Sequence, residues 1–160
     1  MSLTRGTHLA AKRPRITVAA VAERDGRFLM VEEKNGAGNL VLNQPAGHLE
    51  PAETLVQAVV RECLEETTCR FRPDYLVGVY LWSHPAIARG YLRICFAGSV
   101  DEPEPDRTLD TGIERVVWLD RSELNQQAQR LRNPLVLRGV DDYLAGERYS
   151  LGLLKSLLPA

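Results

Sequence analysis

Three glutamates crowd one short stretch of the chain, Arg61-Glu-Cys-Leu-Glu-Glu66. From Glu53 to about Thr67 there is no Gly or Pro. Leu55, Val56, Val59, Val60, Cys63 and Leu64 recur there at three- and four-residue spacing, which predicts a helix with one apolar face. On that helix Glu62 and Glu66 lie one turn apart, with Glu65 on a neighbouring row of the same face. Like charges so placed repel, costing about a few tenths of a kcal/mol per pair. A hard divalent cation would compensate. Mg²⁺ prefers oxygen ligands and usually shares its shell with waters and phosphate oxygens. The plain alternative is a solvated acidic face with an Arg61–Glu65 ion pair. The residues upstream weigh against it. Pro45 and Gly47 set a sharply bending loop before the helix. Glu53 falls at the expected helix start, where its charge suits the helix dipole and its side chain can fold back toward the loop.

This arrangement resembles the Nudix box: Gly, five residues, Glu, seven residues, Arg-Glu, a hydrophobic residue, one residue, Glu-Glu, one residue, Gly, a hydrophobic residue. Gly47, Glu53, Arg61, Glu62, Glu65 and Glu66 fill six of its seven fixed positions, and Cys63 and Cys69 fill the hydrophobic ones. The departure is Thr68, where the family has Gly. A β-branched residue in a left-handed helix exit is strained by roughly 1–3 kcal/mol, so either the exit is rebuilt or the strain is carried. Outside the box, Thr17-Val-Ala-Ala20, Val31-Glu-Glu33, Asn43-Gln-Pro-Ala-Gly-His-Leu-Glu50, Leu92-Arg93, Trp118, Asn133-Pro-Leu-Val136 and Gly146-Glu-Arg-Tyr149 are similar to a bacterial phosphatase branch of the same family.

The resemblance implies an α+β Nudix fold, an α/β/α sandwich with a mixed sheet and a loop–helix–loop. It implies hydrolysis of a diphosphate linkage with Mg²⁺, or Mn²⁺ in its place. Glu62, Glu65 and Glu66 would bind the metal, with the carbonyl of Gly47 or Ala46 as a further ligand. Arg61 would hold the carboxylates in place, and Glu53 would orient a box residue or assist the metal. The general base would be a box glutamate or an acid from a later loop, for which Asp110 and Glu114 are the candidates; ordinary loop charge is their plain alternative. For the substrate, Trp82 and Tyr91 offer stacking surfaces and Arg93 a phosphate contact. His48 is placed to touch phosphate or to structure the box loop. The implied substrates are nucleoside tri- and diphosphates and hydroxymethylpyrimidine diphosphate (a thiamine precursor), with orthophosphate released. Other Nudix substrates (ADP-ribose, an oxidised nucleotide, capped RNA) and a non-catalytic nucleotide-binding module are the competing readings.

The elements that must position these groups follow from the rest of the chain. Ile16–Ala22 and Arg27–Glu33 read as strands joined at Asp25-Gly26, a hairpin-turn dipeptide. Leu40–Asn43, Asp74–Tyr80, Gly90–Val100 and Val116–Leu119 read as further strands, with a loop over Trp82–Arg89. Asp120–Arg132 and Leu135–Ala145 read as helices, the second ended by Gly146. Trp118 is expected in the core. Residues 1–15 read as a peripheral tail, 16–150 as one domain, and 151–160 as an apolar tail that packs on the body or on a second subunit, making a monomer or a homodimer.

Composition bounds the rest. The 160 residues are 44% apolar and 26% charged, enough for one self-sufficient core. Twenty basic residues against twenty-one acidic ones leave a formal charge of −1, so no field of one sign favours nucleic acid or membrane, and a small anionic ligand must be held by local groups or a metal. No apolar run approaches the roughly 18–20 residues of a membrane helix. The three cysteines, Cys63, Cys69 and Cys95, are odd in number and lack C-x-x-C spacing, which suits neither a disulfide framework nor zinc and fits a reducing cytoplasm.

Overall fold

A computed structural model describes residues 12–86 and 89–158. The β-branched and apolar N-terminal segment forms β1 (Lys12–Arg24), which turns through Asp25 and Gly26 into β2 (Arg27–Lys34). Both turn residues have positive φ (52° and 79°), the geometry of the tight turn that matches strand twist. β1 starts at Lys12, inside the segment read as tail, because Lys12 and Arg15 pair with Arg89 and Tyr91. Residues 1–11 lie outside the described residues. β3 (Leu40–Asn43) and β4 (Ala46–His48) follow, then α1 (Leu55–Thr67), β5 (Phe71–His84), β6 (Arg89–Val100), β7 (Ile113–Asp120), α2 (Arg121–Gln126) and α3 (Leu135–Leu144).

The strands form two sheets that share β1. In the mixed sheet β1 pairs parallel with β6 and antiparallel with β4, and β6 pairs antiparallel with β5. In the antiparallel sheet β2 lies between β3 and β7, and the end of β1 joins it through Glu23 and Arg24. Both faces of β1 are covered, so it reads as a continuous apolar run rather than an alternating one. Val18, Ala20 and Ala22 pack with Ala58, Val59 and Cys63 of α1. Ala19 and Val21 pack on the other side with Leu124 of α2 and Val136 and Val140 of α3. The α/β/α layering expected from the sequence is the layering found.

Two elements differ from the sequence reading. The expected loop over Trp82–Arg89 is strand at both ends: β5 runs on to His84 and β6 starts at Arg89, with His84 paired to Arg89. Period-2 alternation there is masked by a polar, partly exposed surface on both faces. The expected helix over Asp120–Arg132 is only α2 followed by a 3₁₀ turn at Ala128–Arg130. The chain leaves the helix early because Leu131 bridges to Leu42 and the Arg132 N–H donates to the Leu42 carbonyl at 2.8 Å. Part of the apolar C-terminus packs on the body. Leu151 and Leu154 contact the α1 core, and Tyr149 pairs with Leu76. Trp118 lies at the edge of that core with Arg24 stacked over its ring. All three cysteines are free and buried, and burial pushes the Cys63 and Cys95 thiols up to about 12, so they act as small hydrophobes. No helix of the described residues is long and apolar enough to cross a membrane.

The helix α1 begins at Leu55 rather than Glu53. Thr54 is its N-cap, accepting from the Gln57 N–H while the Gln57 side chain accepts from the Thr54 N–H. At the other end Thr68 takes the left-handed conformation (φ 61°) that the missing Gly would have taken, with its N–H on the Leu64 carbonyl. The exit is left-handed and carries the strain. Thr68→Gly should therefore stabilise the fold by about 1 kcal/mol, seen as a higher urea midpoint with an unchanged slope. A lower midpoint would mean that the contacts of the buried Thr68 side chain outweigh its backbone strain.

Candidate active site

The start of α1's carboxylate face meets β4 at very close range. Gly47 pairs with Val18 in the sheet, and the Glu62 side chain lies directly over it. A Cβ built on Gly47 would stand 2.0 Å from the Glu62 carboxyl carbon. Only glycine leaves this space. One turn later, Glu66 Oε2 accepts from the Ala46 N–H at 2.9 Å and the residue is 7% exposed. β4 and α1 are thus joined by two carboxylates pressed against a loop backbone.

Arg61 gathers the other acids. Its Nε and Nη2 donate to the two oxygens of Glu53 at 3.0 and 2.6 Å, a bidentate pair. Its Nη1 donates to Glu62 Oε1 at 2.8 Å and Glu65 Oε2 at 3.1 Å. Nη2 also donates to the His48 carbonyl at 3.0 Å. Glu53 stands before the cap, outside the helix's first turn, so the dipole role expected for it is replaced by this pairing and by a hydrogen bond from the Glu50 N–H. Its fold back onto the loop is as expected. The Arg61 hydrogen bonds lower the Glu53 pKa, and the carboxylates, Glu53 first, raise that of Arg61.

Glu62 and Glu66 are tuned the other way. Burial raises the Glu62 pKa despite Arg61. Burial pushes Glu66 up to about 9; the Ala46 hydrogen bond opposes the rise, while Glu33, Glu62 and Asp110 add to it. Glu66 has no ion-pair partner among the described residues. A buried carboxylate surrounded by other carboxylates calls for positive charge.

The remaining predicted residues divide. Asp110 is brought to the helix: its N–H donates to the Glu65 carbonyl at 2.9 Å and its charge bears on Glu66. Glu114 instead pairs with Lys34 at 3.3 Å on an exposed surface. Trp82 and Tyr91 are cross-strand partners with stacked rings, centroids 5.8 Å apart. Arg93, two residues on from Tyr91 and on the same face of β6, is buried and hydrogen-bonds Gln44. His48 is the cross-strand partner of Thr17 and keeps an exposed edge. Desolvation of its ring and the charges of Arg15, Arg132 and Arg89 nevertheless hold its pKa below the ordinary value. Sequence reading missed Glu33, whose carboxylate accepts from Asn43 Nδ2 at 2.9 Å and bears on Glu66. It also missed Asn43 and Gln44 as site residues. Their signal was two consecutive amides between an apolar strand and the box loop.

The residues suit a divalent cation. Glu66 is buried without a cationic partner among the described residues, Glu62 is nested in a cradle that a Cβ would fill, and the backbone of Ala46 and Gly47 lies against both. Among the described residues no three acidic, His or Cys side chains converge on one point, and Arg61 is the counter-ion of Glu62 and Glu65.

This fold and helix define the protein's class, and comparison with known proteins agrees. The NUDIX domain family model matches residues 11–138, and the chain belongs to the Nudix family. It is a hydrolase acting on phosphoric anhydrides, and Nudix hydrolases generally work with divalent metal ions. The chain is 38% identical over 142 residues to the phosphatase NudJ of Escherichia coli K12, covering 89% of this chain and 91% of that protein. A NUDIX hydrolase structure from Nitrosomonas europaea superposes with a TM-score of 0.88 at 46% identity, covering 91% of this chain and 98% of its own. A MutT NUDIX hydrolase from Burkholderia pseudomallei shares the fold at 21% identity, with a TM-score of 0.66 over 82% of this chain and 98% of its own.

Gly47→Ala tests the contact between β4 and α1. The added methyl must displace the Glu62 carboxylate, and a displacement of that size should lower kcat/KM by about 10²-fold with α1 still folded by circular dichroism. Turnover within a few-fold of wild type would mean that Glu62 acts from another position.

Proposed function

We propose that the chain is a Mg²⁺-dependent phosphohydrolase that cleaves a diphosphate linkage in nucleoside tri- and diphosphates or hydroxymethylpyrimidine diphosphate and releases orthophosphate. The observation that carries this reading is the pair of α1 carboxylates pressed on β4: partly buried Glu62 over Gly47, and buried Glu66 on the Ala46 N–H without a cationic partner among the described residues. Similarity to NudJ along most of both chains, a protein named a phosphatase, supports the phosphatase assignment within the family. Free, buried cysteines suit work in a reducing cytoplasm on small soluble substrates.

Glu62, Glu65 and Glu66, with a carbonyl of Ala46 or Gly47, would hold the cation. Bound there, a divalent ion supplies neutralisation of phosphate oxygens and a more acidic water. The chain's own residues do the positioning. Arg61 fixes Glu62 and Glu65 through Nη1 and is itself anchored by Glu53. Removing Glu53 would release Arg61 and with it the helix carboxylates. The proton of the attacking water goes to Asp110 or to Glu65. Asp110 comes from outside the helix and already uses Oδ1 to accept from the Thr111 N–H. Glu65 has one oxygen on Arg61 and is the most exposed of the helix acids. Trp82 and Tyr91 would offer the flat surface for a base or pyrimidine ring, and Arg93 and His48 would supply phosphate contacts.

A phosphate-release screen with Mg²⁺ or Mn²⁺ tests the reading. Its substrates are GTP, GDP, hydroxymethylpyrimidine diphosphate, thiamine diphosphate and ADP-ribose, with orthophosphate and pyrophosphate assayed separately. Orthophosphate from the nucleotides or the pyrimidine diphosphate is expected, and Glu62→Gln should lower turnover by about 10²–10³-fold without unfolding. Pyrophosphate release, or cleavage of ADP-ribose alone, would keep the Nudix chemistry and move the substrate. No turnover with either metal would favour a nucleotide-binding module.

A further inference from the structure

A strand at the edge of a sheet presents unpaired backbone groups that another chain can pair with, and proteins guard such edges. Among the described residues the two sheets end in β3, β4, β5 and β7. β4 is three residues long and lies under the carboxylates of α1. β3 is four residues long, and Leu131 bridges to its Leu42. β7 exposes the charges of Glu114 and Arg115. β5 differs. It is 14 residues long and pairs with β6 along its inner side. Its outer side is taken at Leu76, which exchanges both backbone hydrogen bonds with Tyr149 at 2.8 and 2.9 Å. A register shift between Leu76 and Gly78 ends that pairing. There a cavity of 390 Å³ opens between β5 and the C-terminal segment, with Val79, Tyr80, Glu147, Tyr149 and Leu153 in its lining. The outer edge from Val79 to Ser83 has no backbone partner among the described residues.

This stretch, Val-Tyr-Leu-Trp-Ser, holds no charge and no proline, so nothing in it discourages a second strand. Val79 and Leu81 share the face turned toward α1, across from Ile94 and Leu92, and are 59% and 73% exposed. Tyr80 and Trp82 share the opposite face. Charge stands at the two ends of the stretch. Glu147, exposed, lines the cavity at the Gly78 end, and its carboxylate accepts from the Tyr149 hydroxyl without an ion pair among the described residues. At the other end Arg89 lies opposite His84 and likewise has no ion pair among the described residues.

We propose that this edge joins two copies of the chain, β5 pairing antiparallel with the partner's β5 about a two-fold axis at Leu81. The order of charges selects both the occupant and the direction. A second copy laid antiparallel brings Glu147 of each chain toward Arg89 of the other, whereas parallel pairing would set like charges together. The contact is self-complementary, as a two-fold interface must be. On the α1 side Leu81 meets its own counterpart, with Val79 against Ser83 on either side of it. On the opposite face the partner's Tyr80 comes beside Trp82 and widens the aromatic surface that Trp82 and Tyr91 form. So short a strip lies at the low end of interface sizes, so the dimer forms in the micromolar range.

Sedimentation velocity of the full chain at low salt tests the proposal. Wild type should pass from monomer to dimer as its concentration rises through the micromolar range. Leu81→Lys sets two like charges on the axis and should stay monomeric throughout. Its urea midpoint, measured where wild type is monomeric, should be unchanged because the side chain is exposed. Glu147→Arg should weaken association by about tenfold, and Arg89→Glu in the same chain should restore it. Leu81→Cys should cross-link to a dimer under a mild oxidant, because paired residues of antiparallel strands lie within disulfide reach. Ser99→Cys, exposed on β6 away from the axis, should not. A wild type that stays monomeric at every concentration overturns the proposal. So does a Leu81→Lys chain that dimerises like wild type, or a Leu81→Cys chain that dimerises without cross-linking.

Discussion

The whole arrangement turns on one guanidinium. Arg61 sits among Glu53, Glu62 and Glu65, and each would repel the others without it. Four acids in and before a single helix oppose helix formation locally. Apolar packing of Ala58, Val59 and Cys63 against β1 and β6 keeps α1 in place, and Arg61 makes its polar face tolerable. Replacing it with lysine would keep the charge and lose the fork that spans Glu53, Glu62 and Glu65 at once.

Backbone geometry supports this from either side. Ala52 before the helix and Thr68 after it both have positive φ, without glycine's freedom there. Such residues persist where the surroundings over-determine them, and they cluster at functional sites. Here the surroundings are explicit. The Thr68 carbonyl accepts from the Glu104 N–H, and the Glu65 carbonyl accepts from the Asp110 N–H, so the loop after β6 is tied to the helix exit. That tie brings Asp110 to the helix while Glu114, four residues later, faces Lys34 on the surface.

Much of this was legible in the sequence because it rests on local spacing. The apolar stripe of α1, the hairpin at Asp25-Gly26 and the layered order of strands and helices are short-range patterns. So is the Arg61-to-Glu66 row. What was not legible depends on register between distant strands. Trp82 and His84 looked like loop because their alternation is polar on both faces. Glu33 looked like ordinary strand charge until β2 was placed beside Asn43. Thr17, Asn43 and Gln44 are scattered in sequence and meet Arg93 only through the parallel pairing of β1 with β6 and the course of β3. The αL exit at Thr68 was foreseeable as a question, since a single residue replaced the expected glycine, but its answer required the dihedral angle.

One consequence follows from β1 belonging to both sheets. This strand carries Thr17 opposite His48 and Arg93, and Val18 opposite Gly47, and it enters the second sheet at Glu23 and Arg24. No sub-global opening can free β4 or β6 from β1 while leaving the site intact. The backbone that carries Gly47 is therefore held by the strand common to the two sheets, where protection from solvent exchange should be high. A ligand that binds only the folded chain then stabilises the whole fold rather than one loop.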